Sequence, residues 1–237
     1  MNRLTKSMEQ QWMNDGYLHL KNVIPKDEAA GCLASANEVI ERYEKDKPQV
    51  RDKGVYTIIQ TLEHTSGVDC LMDHPNLFGI ILDLMGPYLQ IMGSQIYVRY
   101  PNEKEDNLLG WHTDAGGSLA QIRVTPDSLP LNFKIQFFLT DIPEENQANF
   151  CVVPGSHRRA APEGGLPRNE TPAGAVQLIA EAGDCAIFPN TLWHAVAPNH
   201  SDTVRRSVTF RYGQMWCRPY DYEKCPEEVL ARMTPRR

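Results

Sequence analysis

Along the first ninety positions apolar residues recur at intervals of three and four; beyond them the pattern changes to short alternating runs divided by turns. Ala29, Cys32, Leu33, Ala36, Val39 and Ile40 follow Pro25 with the spacing of one buried helical face, which predicts a helix. Residues 5–15 read as a shorter helix, followed by a strand through Gly16, Tyr17, Leu18, His19 and Leu20. Asp73-His74-Pro75 opens a third helix through Leu77, Ile80, Ile81, Leu84 and Met85, and Gly86-Pro87 ends it. The charged run from Glu41 to Lys53, interrupted by Pro48, is expected to be a loop or a mobile segment, and 41–65 as a whole is a candidate lid.

The later part predicts strands at 95–100, 133–139, 150–153, 176–180, 185–188 and 207–212, with turn signals at Pro101-Asn102, Pro154-Gly155, Gly164-Gly165 and Pro189-Asn190. Helices first and strands later fit a mainly β fold with flanking helices, a cupin-like jelly roll of the double-stranded β-helix kind. One domain over 1–237 is expected, helical over about 1–90 with a β core over about 91–217, and no repeat or linker divides it. The Pro- and Gly-rich stretch 160–174 is long for a hairpin and reads as a second lid or substrate loop.

Composition narrows the function classes. A hydrophobic content of 41% with 23% charged residues is that of a soluble globular protein. The net charge of −6 argues against nucleic acid, whose binding rests on clustered Lys and Arg. No run approaches the roughly 20 apolar residues of a membrane span, and the polar start has no signal-like segment. Six scattered cysteines without a C-x-x-C pair suit reduced thiols in a cytoplasmic protein. The pattern leaves the oligomeric state open.

Candidate chemistry lies in two separated segments, Trp111-His112-Thr113-Asp114 and Trp193-His194. Two imidazoles and one carboxylate make a facial triad for non-haem Fe(II), leaving positions open for a co-substrate and O2. Residues i and i+2 of a strand point the same way, so His112 and Asp114 can converge on one ion. A second triplet of this type, His200-Ser201-Asp202, shows how readily seven histidines generate the pattern; it lies in a polar loop with no later histidine to complete a triad. His157, in Pro154-Gly155-Ser156-His157, reads as a turn residue.

Eleven residues past His194, Arg205 begins an alternating segment with Arg205, Ser207, Thr209 and Arg211 on one face and Arg206, Val208, Phe210 and Tyr212 on the other. The first face reads as a pocket wall, with the Arg205 guanidinium and Ser207 hydroxyl offered to the distal carboxylate of 2-oxoglutarate. Gln95, Tyr97 and Arg99 share a face of an earlier strand, as do Lys134, Gln136 and Phe138; each is a weaker candidate to touch the co-substrate or the primary substrate, with Gln95 and Gln136 assigned to the co-substrate. Trp111, Trp193 and Trp216 are candidates to line the pocket.

These residues resemble the phytanoyl-CoA dioxygenase family of Fe(II)/2-oxoglutarate enzymes over most of the chain. The resemblance rests on Asp15-Gly16-Tyr17-Leu18, Lys21-Asn22-Val23-Ile24, Trp111-His112-Thr113-Asp114 and Phe138-Leu139-Thr140-Asp141. It continues through the segment from Asn149 to His157, Gly183-Asp184, Trp193-His194 and the arginine at 205. It implies a double-stranded β-helix, iron ligation by His112, Asp114 and His194, and 2-oxoglutarate anchored by Arg205. Gln147-Ala148 departs from the pattern, standing where relatives often carry a glycine.

The expected reaction consumes 2-oxoglutarate and O2 and hydroxylates an unactivated C–H bond of a small-molecule substrate, an intermediate of specialised metabolism. Desaturation, ring closure and epoxidation would use the same ligands. A halogenase is disfavoured, since halide needs the position that the Asp114 carboxylate would fill. A non-catalytic jelly-roll binding protein or a cupin-like zinc hydrolase would leave the triad and the arginine jointly unexplained. On this reading Asp114→Ala abolishes turnover with the fold intact. His200→Ala leaves Fe(II) affinity unchanged in a metal titration, and loss of iron there would move the assignment to the second triplet.

Overall fold

The alternation of one strand, Asn132–Phe138, decides the layering. Phe133, Ile135 and Phe137 point one way into the large apolar core, while Lys134, Gln136 and Phe138 point the other way. In the computed structural model, which describes residues 2–101, 110–114, 129–159, 162, 166, 170–219 and 225–233, both faces of this strand are buried.

In chain order the elements are α1 (Lys6–Asp15), β1 (Leu18–Leu20), α2 (Lys26–Asp46), α3 (Gln49–Asp52), β2 (Val55–Ile59), α4 (Thr61–His64), α5 (Phe78–Met85) and β3 (Leu89–Arg99). Then follow β4 (Asn132–Phe138), β5 (Phe150–Val152), β6 (Val176–Gln177), β7 (Cys185–Pro189), β8 (His194–Val196), β9 (Arg205–Gln214) and α6 (Glu227–Ala231). Six strands form an antiparallel sheet in the order β1-β7-β4-β9-β3-β2, and three form a second in the order β6-β5-β8. This is the expected jelly roll with flanking helices.

The helices cover the outer face of the large sheet. Trp12, Ala29, Cys32, Ala36, Val39, Ile40, Ile81 and Leu84 pack there with Ile96, Val98, Phe133, Ile135, Phe137, Val208 and Phe210. Each large apolar side chain among them contributes about 1.5–3 kcal/mol relative to exposure. A second apolar cluster, including Phe138, Ile142, Phe150, Val152, Ala186 and Phe188, fills one end of the space between the sheets. The rest of that space is polar and holds the candidate site.

Local signals set the element ends. The Thr5 side chain accepts from the Met8 N–H at 3.2 Å, and α1 stops where Gly16 takes φ 80°. The run 41–53, expected to be a loop, is instead largely helical: α2 continues to Asp46, and α3 follows Pro48. Two aromatic contacts explain it. Tyr43 stacks on Tyr56 with centroids 5.8 Å apart, and Glu44 accepts from the Tyr56 and Tyr100 hydroxyls at 2.5 and 2.6 Å. These contacts come from β2 and the residue following β3, so the helical reading needed partners far away in sequence.

Strand β2 itself lies inside the stretch read as a lid; it pairs with β3 from Val55↔Arg99 to Ile59↔Gln95. The third helix begins at Phe78 rather than near Asp73, since His74 O accepts from the Leu77 and Phe78 N–H groups in a preceding turn. The strand expected at 207–212 spans Arg205–Gln214, that at 95–100 spans Leu89–Arg99, and that at 176–180 shrinks to Val176–Gln177. Of the loop read at 160–174, residues 162, 166 and 170–174 are described and the others lie outside the described residues.

The departure at Gln147-Ala148 has a backbone consequence. Asn146 and Ala148 both take φ 59°, the left-handed region where a side chain costs about 1–2 kcal/mol. Buried Ala148 is held there by its N–H bond to Pro198 O at 2.9 Å.

Gly183 closes the join between β7 and the start of α2: its N–H donates to Phe138 O at 2.9 Å and its carbonyl accepts from Ile24 N–H at 3.0 Å. It has φ 98°, and a Cβ there would stand 2.4 Å from Ile24 O. Gly183→Ala is therefore expected to lower stability by about 2 kcal/mol or more, from left-handed strain and a backbone clash that no side-chain rotation relieves. Urea unfolding checks this; an unchanged midpoint would show that the join is slack.

Candidate metal centre

His112 and His194 are brought together by the backbone. Each N–H donates to the other's carbonyl at 3.0 Å, an isolated antiparallel bridge that extends the small sheet beyond β8. The imidazoles face each other with centroids 4.2 Å apart. Asp114 lies in a turn rather than in a continuing strand, so its place beside the histidines does not come from strand alternation. One donor atom from each of the three lies within 4.8 Å of the others, and this is the one such group of three among the described residues.

The tautomers are set by the main chain. His112 Nδ1 lies 2.8 Å from Gly110 O and His194 Nδ1 2.9 Å from Leu192 O. A carbonyl accepts only, so each Nδ1 carries a proton and each Nε2 is turned to the shared space. Those Nε2 atoms face Asp114, at 3.8 Å from Oδ1 for His112 and 3.7 Å from Oδ2 for His194. Burial pushes the His194 pKa down to about 3, against the pull of the Asp114 charge, so the ring is neutral at physiological pH. A neutral imidazole is the ligand form.

Asp114 is held by two cations. Lys134 Nζ lies 2.8 Å and Arg211 Nη2 3.3 Å from its Oδ2, and all three side chains are about nine-tenths buried. Burial by itself would raise the Asp114 pKa, but the neighbouring cations, the Lys134 ammonium foremost, hold it well below the usual carboxylate range. The carboxylate is therefore ionised across the neutral range. Lys134 and Arg211 are direct partners across β4 and β9. The sequence put Lys134 among the residues that could touch co-substrate or substrate and Arg211 on the pocket wall, but not their ion pairs with Asp114, because that convergence depends on how the 110–114 segment folds over the sheet.

The triad opens on a small cavity of about 70 Å³, lined by Tyr97, Lys134, Gln136, Phe150, Phe188, His194 and Arg205 among others. Arg205 is 2% exposed with its guanidinium over the Phe138 ring at 5.7 Å, and its Nε and Nη2 have no hydrogen-bond partner among the described residues. Ser207 Oγ, Thr209 Oγ1 and Gln136 Nε2 are likewise buried without partners. Such groups are costly unless something accepts from them. Burial, with the nearby Arg99 charge, lowers the Arg205 pKa to about 9, which still leaves the guanidinium charged at neutral pH.

The other candidates are distributed as follows. Gln95 accepts from Tyr97 OH at 2.5 Å and lines a small adjoining void with Gly93, Lys134, Thr209 and Arg211, while Gln136 lines the main cavity. Arg206 points away, donating to Val204 O at 3.2 Å. Trp111 is buried with Cys151, Val153, Ala195 and Ala197, Trp193 packs beside that cluster and Trp216 is 68% exposed; none of the three lines the described cavity. His200 is exposed and takes no part in the triad. His157 is buried in a 3-10 turn packed on Gly16, where a Cβ would overlap its ring.

A jelly roll carrying two imidazoles and a carboxylate beside a pocket with buried cationic side chains is the architecture of a non-haem iron, 2-oxoglutarate-dependent enzyme. The chain belongs to the phytanoyl-CoA dioxygenase family, whose sequence model matches residues 12–207. Solved structures share the fold. HygX from Streptomyces hygroscopicus, with nickel and 2-oxoglutarate bound, superposes with a TM-score of 0.71 at 18% identity, covering 91% of this chain and 89% of that one. The 2-oxoglutarate-dependent carbocyclase SnoK of nogalamycin biosynthesis gives 0.68 at 23% identity, covering 98% and 92%. The epimerase SnoN of the same biosynthesis gives 0.65 at 20%, covering 88% and 82%.

The ion pairs at Asp114 alter the outcome expected from sequence for Asp114→Ala. Removing the carboxylate strands a buried ammonium beside a guanidinium, so the variant should lose about 3–5 kcal/mol of stability as well as activity. Adding Lys134→Met should restore part of that loss. Urea unfolding of the two single variants and the double variant measures the coupling, and additive effects would show that the ammonium and carboxylate are not paired in solution.

Proposed function

We propose that the chain is an Fe(II)- and 2-oxoglutarate-dependent dioxygenase that hydroxylates a C–H bond of a small molecule, an intermediate of specialised metabolism. The observation that carries this reading is the joint presence of the His112–Asp114–His194 cluster and of one cavity that His112, His194 and Arg205 line, with the orphaned donors of Arg205 on it. The residues fit both groups. Two Nε2 lone pairs and an ionised carboxylate would hold Fe(II), and a buried guanidinium with a hydroxyl would take the distal carboxylate of 2-oxoglutarate. Bound there, iron and the oxo acid supply oxidising power from O2, with 2-oxoglutarate converted to succinate and CO2 as the substrate is oxidised.

The chain's own part is positioning and exclusion. Gly110 O and Leu192 O fix the two ring orientations, and Lys134 with Arg211 restrains the carboxylate. Phe150, Phe188 and Val196 give the cavity an apolar wall that keeps water away from the reacting centre. Support for a specialised-metabolite substrate comes from the structural relatives SnoK and SnoN, both of nogalamycin biosynthesis. Among the described residues no helix is long and apolar enough to cross a membrane.

Anaerobic addition of Fe(II) and 2-oxoglutarate should produce a visible charge-transfer band, which a zinc hydrolase on the same scaffold would not show. Titrating 2-oxoglutarate while following succinate should give a requirement raised roughly ten- to several-hundredfold in Arg205→Ala and little changed in Arg206→Ala, since charge-assisted hydrogen bonds are worth about 1.5–3 kcal/mol each. If Arg206→Ala is the variant that fails, the co-substrate lies on the other face of β9 and the pocket assignment is wrong.

A further inference from the structure

On the side of Asp114 away from Arg205, the inner face of the large sheet carries a second set of unspent groups. Lys134 is the partner of Phe188 in the β4–β7 register and of Arg211 in the β4–β9 register, so one row across the sheet holds both cations that meet Asp114. Two residues further from the Arg205 end, strand alternation puts Asn132 on the same face, opposite Gly213 of β9. Asn190, just past β7, stands on its other side: the Asn190 N–H donates to Asn132 O at 3.3 Å, which continues the β4–β7 register by one residue. Asn132 is 6% exposed and Asn190 4%. Asn132 Oδ1, an acceptor, and Asn190 Nδ2, a donor, are both buried without a hydrogen-bond partner among the described residues. Such groups are costly to leave unspent. Opposite residues on one face have Cβ atoms about 4.5–5.5 Å apart, within reach of an amide pair, yet these two do not bond each other.

Charge beside this row is already committed, since Lys134 and Arg211 are paired with Asp114; the row itself offers neutral hydrogen bonds. An acceptor next to a donor is matched by a group that presents a donor next to an acceptor, as a carboxamide or lactam does with its N–H and C=O. Beyond the row the surface turns apolar. Met215 N–H donates to Tyr88 O at 3.0 Å; the two residues are 59% and 66% exposed, and Trp216 beside them is 68% exposed. Large apolar groups gathered in the open mark a contact surface. Resting on the dioxygenase reading above, we propose that Asn132 and Asn190 form the recognition row for the primary substrate, a neutral molecule carrying a carboxamide or lactam on an apolar ring body. The amide pair holds the polar group about 7 Å, two strand residues, from the row of Lys134 and Arg211, and the ring body extends towards Tyr88 and Met215. The polyanionic tail of an acyl-CoA thioester does not match a neutral row. Both asparagines are binding residues and move no proton.

The test uses the protein loaded with Mn(II) and saturated with 2-oxoglutarate, so that binding is read without turnover. Three aromatic probes are compared: isoindolinone, a lactam; indanone, the same skeleton with CH2 in place of N–H; and benzoate, an anion. Relaxation of the probe protons by Mn(II) reads binding beside the metal. The lactam should bind about three- to tenfold more tightly than the ketone, the effect of one hydrogen bond to a group otherwise left unpaired, and benzoate no better than the ketone. Asn132→Leu should abolish the difference between lactam and ketone, while Asn190→Leu should weaken both by a similar factor. Without ligands, each variant should melt no lower than wild type, because a buried unpaired group has been exchanged for hydrocarbon of similar volume. A wild type that binds lactam and ketone alike, or a lactam that shows no relaxation, would overturn the row and leave the dioxygenase reading standing. So would single variants that lose stability beside a double variant that regains it, since the two amides would then be paired with each other. Failure of the Mn(II)-loaded protein to bind 2-oxoglutarate would overturn the dioxygenase reading itself, and the row as its substrate site with it.

Discussion

The central sheet buries cations on the face opposite its hydrophobic core, and the rest of the molecule is arranged around that constraint. Lys134, Arg205 and Arg211 are each less than a tenth exposed, and Arg99 stands beside Arg205. Burying unpaired charge is costly, so such a face survives only with counter-charge on it and a strong apolar face behind it. Phe133, Ile135, Phe137, Val208, Phe210 and Tyr212 provide the second by packing against the helices. Asp114 provides part of the first. The Arg205 end has no counter-charge from the described residues, which is why the pocket there favours an anionic ligand.

The candidate metal centre depends on a different kind of restraint, carried by main-chain groups. The reciprocal hydrogen bonds between His112 and His194 join the segment carrying the carboxylate to the end of the small sheet. The bonds from each Nδ1 to the carbonyl two residues earlier then aim both lone pairs at the same space. Because these contacts use backbone atoms, they ask nothing of neighbouring side chains beyond room to pack. The ring geometry is set before any ligand arrives, which lowers the cost of ordering the site on binding.

Stability and chemistry meet at Asp114. The same carboxylate offered to a cation also neutralises Lys134 and Arg211, so the apo and loaded states share out one negative charge differently. This is a site where local stability is given up for function, as buried polar clusters often do. The left-handed residues Asn146 and Ala148 carry strain elsewhere in the chain, in the connection ahead of β5.

Much of this was legible from residue order. The period-two alternation in β4 and β9 assigns side chains to the apolar and polar faces without knowledge of the fold, because successive residues of a strand must point to opposite sides. The paired His112 and Asp114, with His194 and Arg205 at their spacing, marked the family and hence the jelly roll. Three things were hidden for one reason: each depends on residues far apart in the chain. The charged end of α2 is helical because Tyr43 and Glu44 meet aromatic residues from β2 and the end of β3. Asp114 meets Lys134 and Arg211 because a turn, and no regular strand, delivers it over the sheet. Arg99 faces Arg205 because β3 and β9 pair in one register out of many. Local pattern settles which face a side chain takes; which charge it meets there depends on pairing and packing between distant segments.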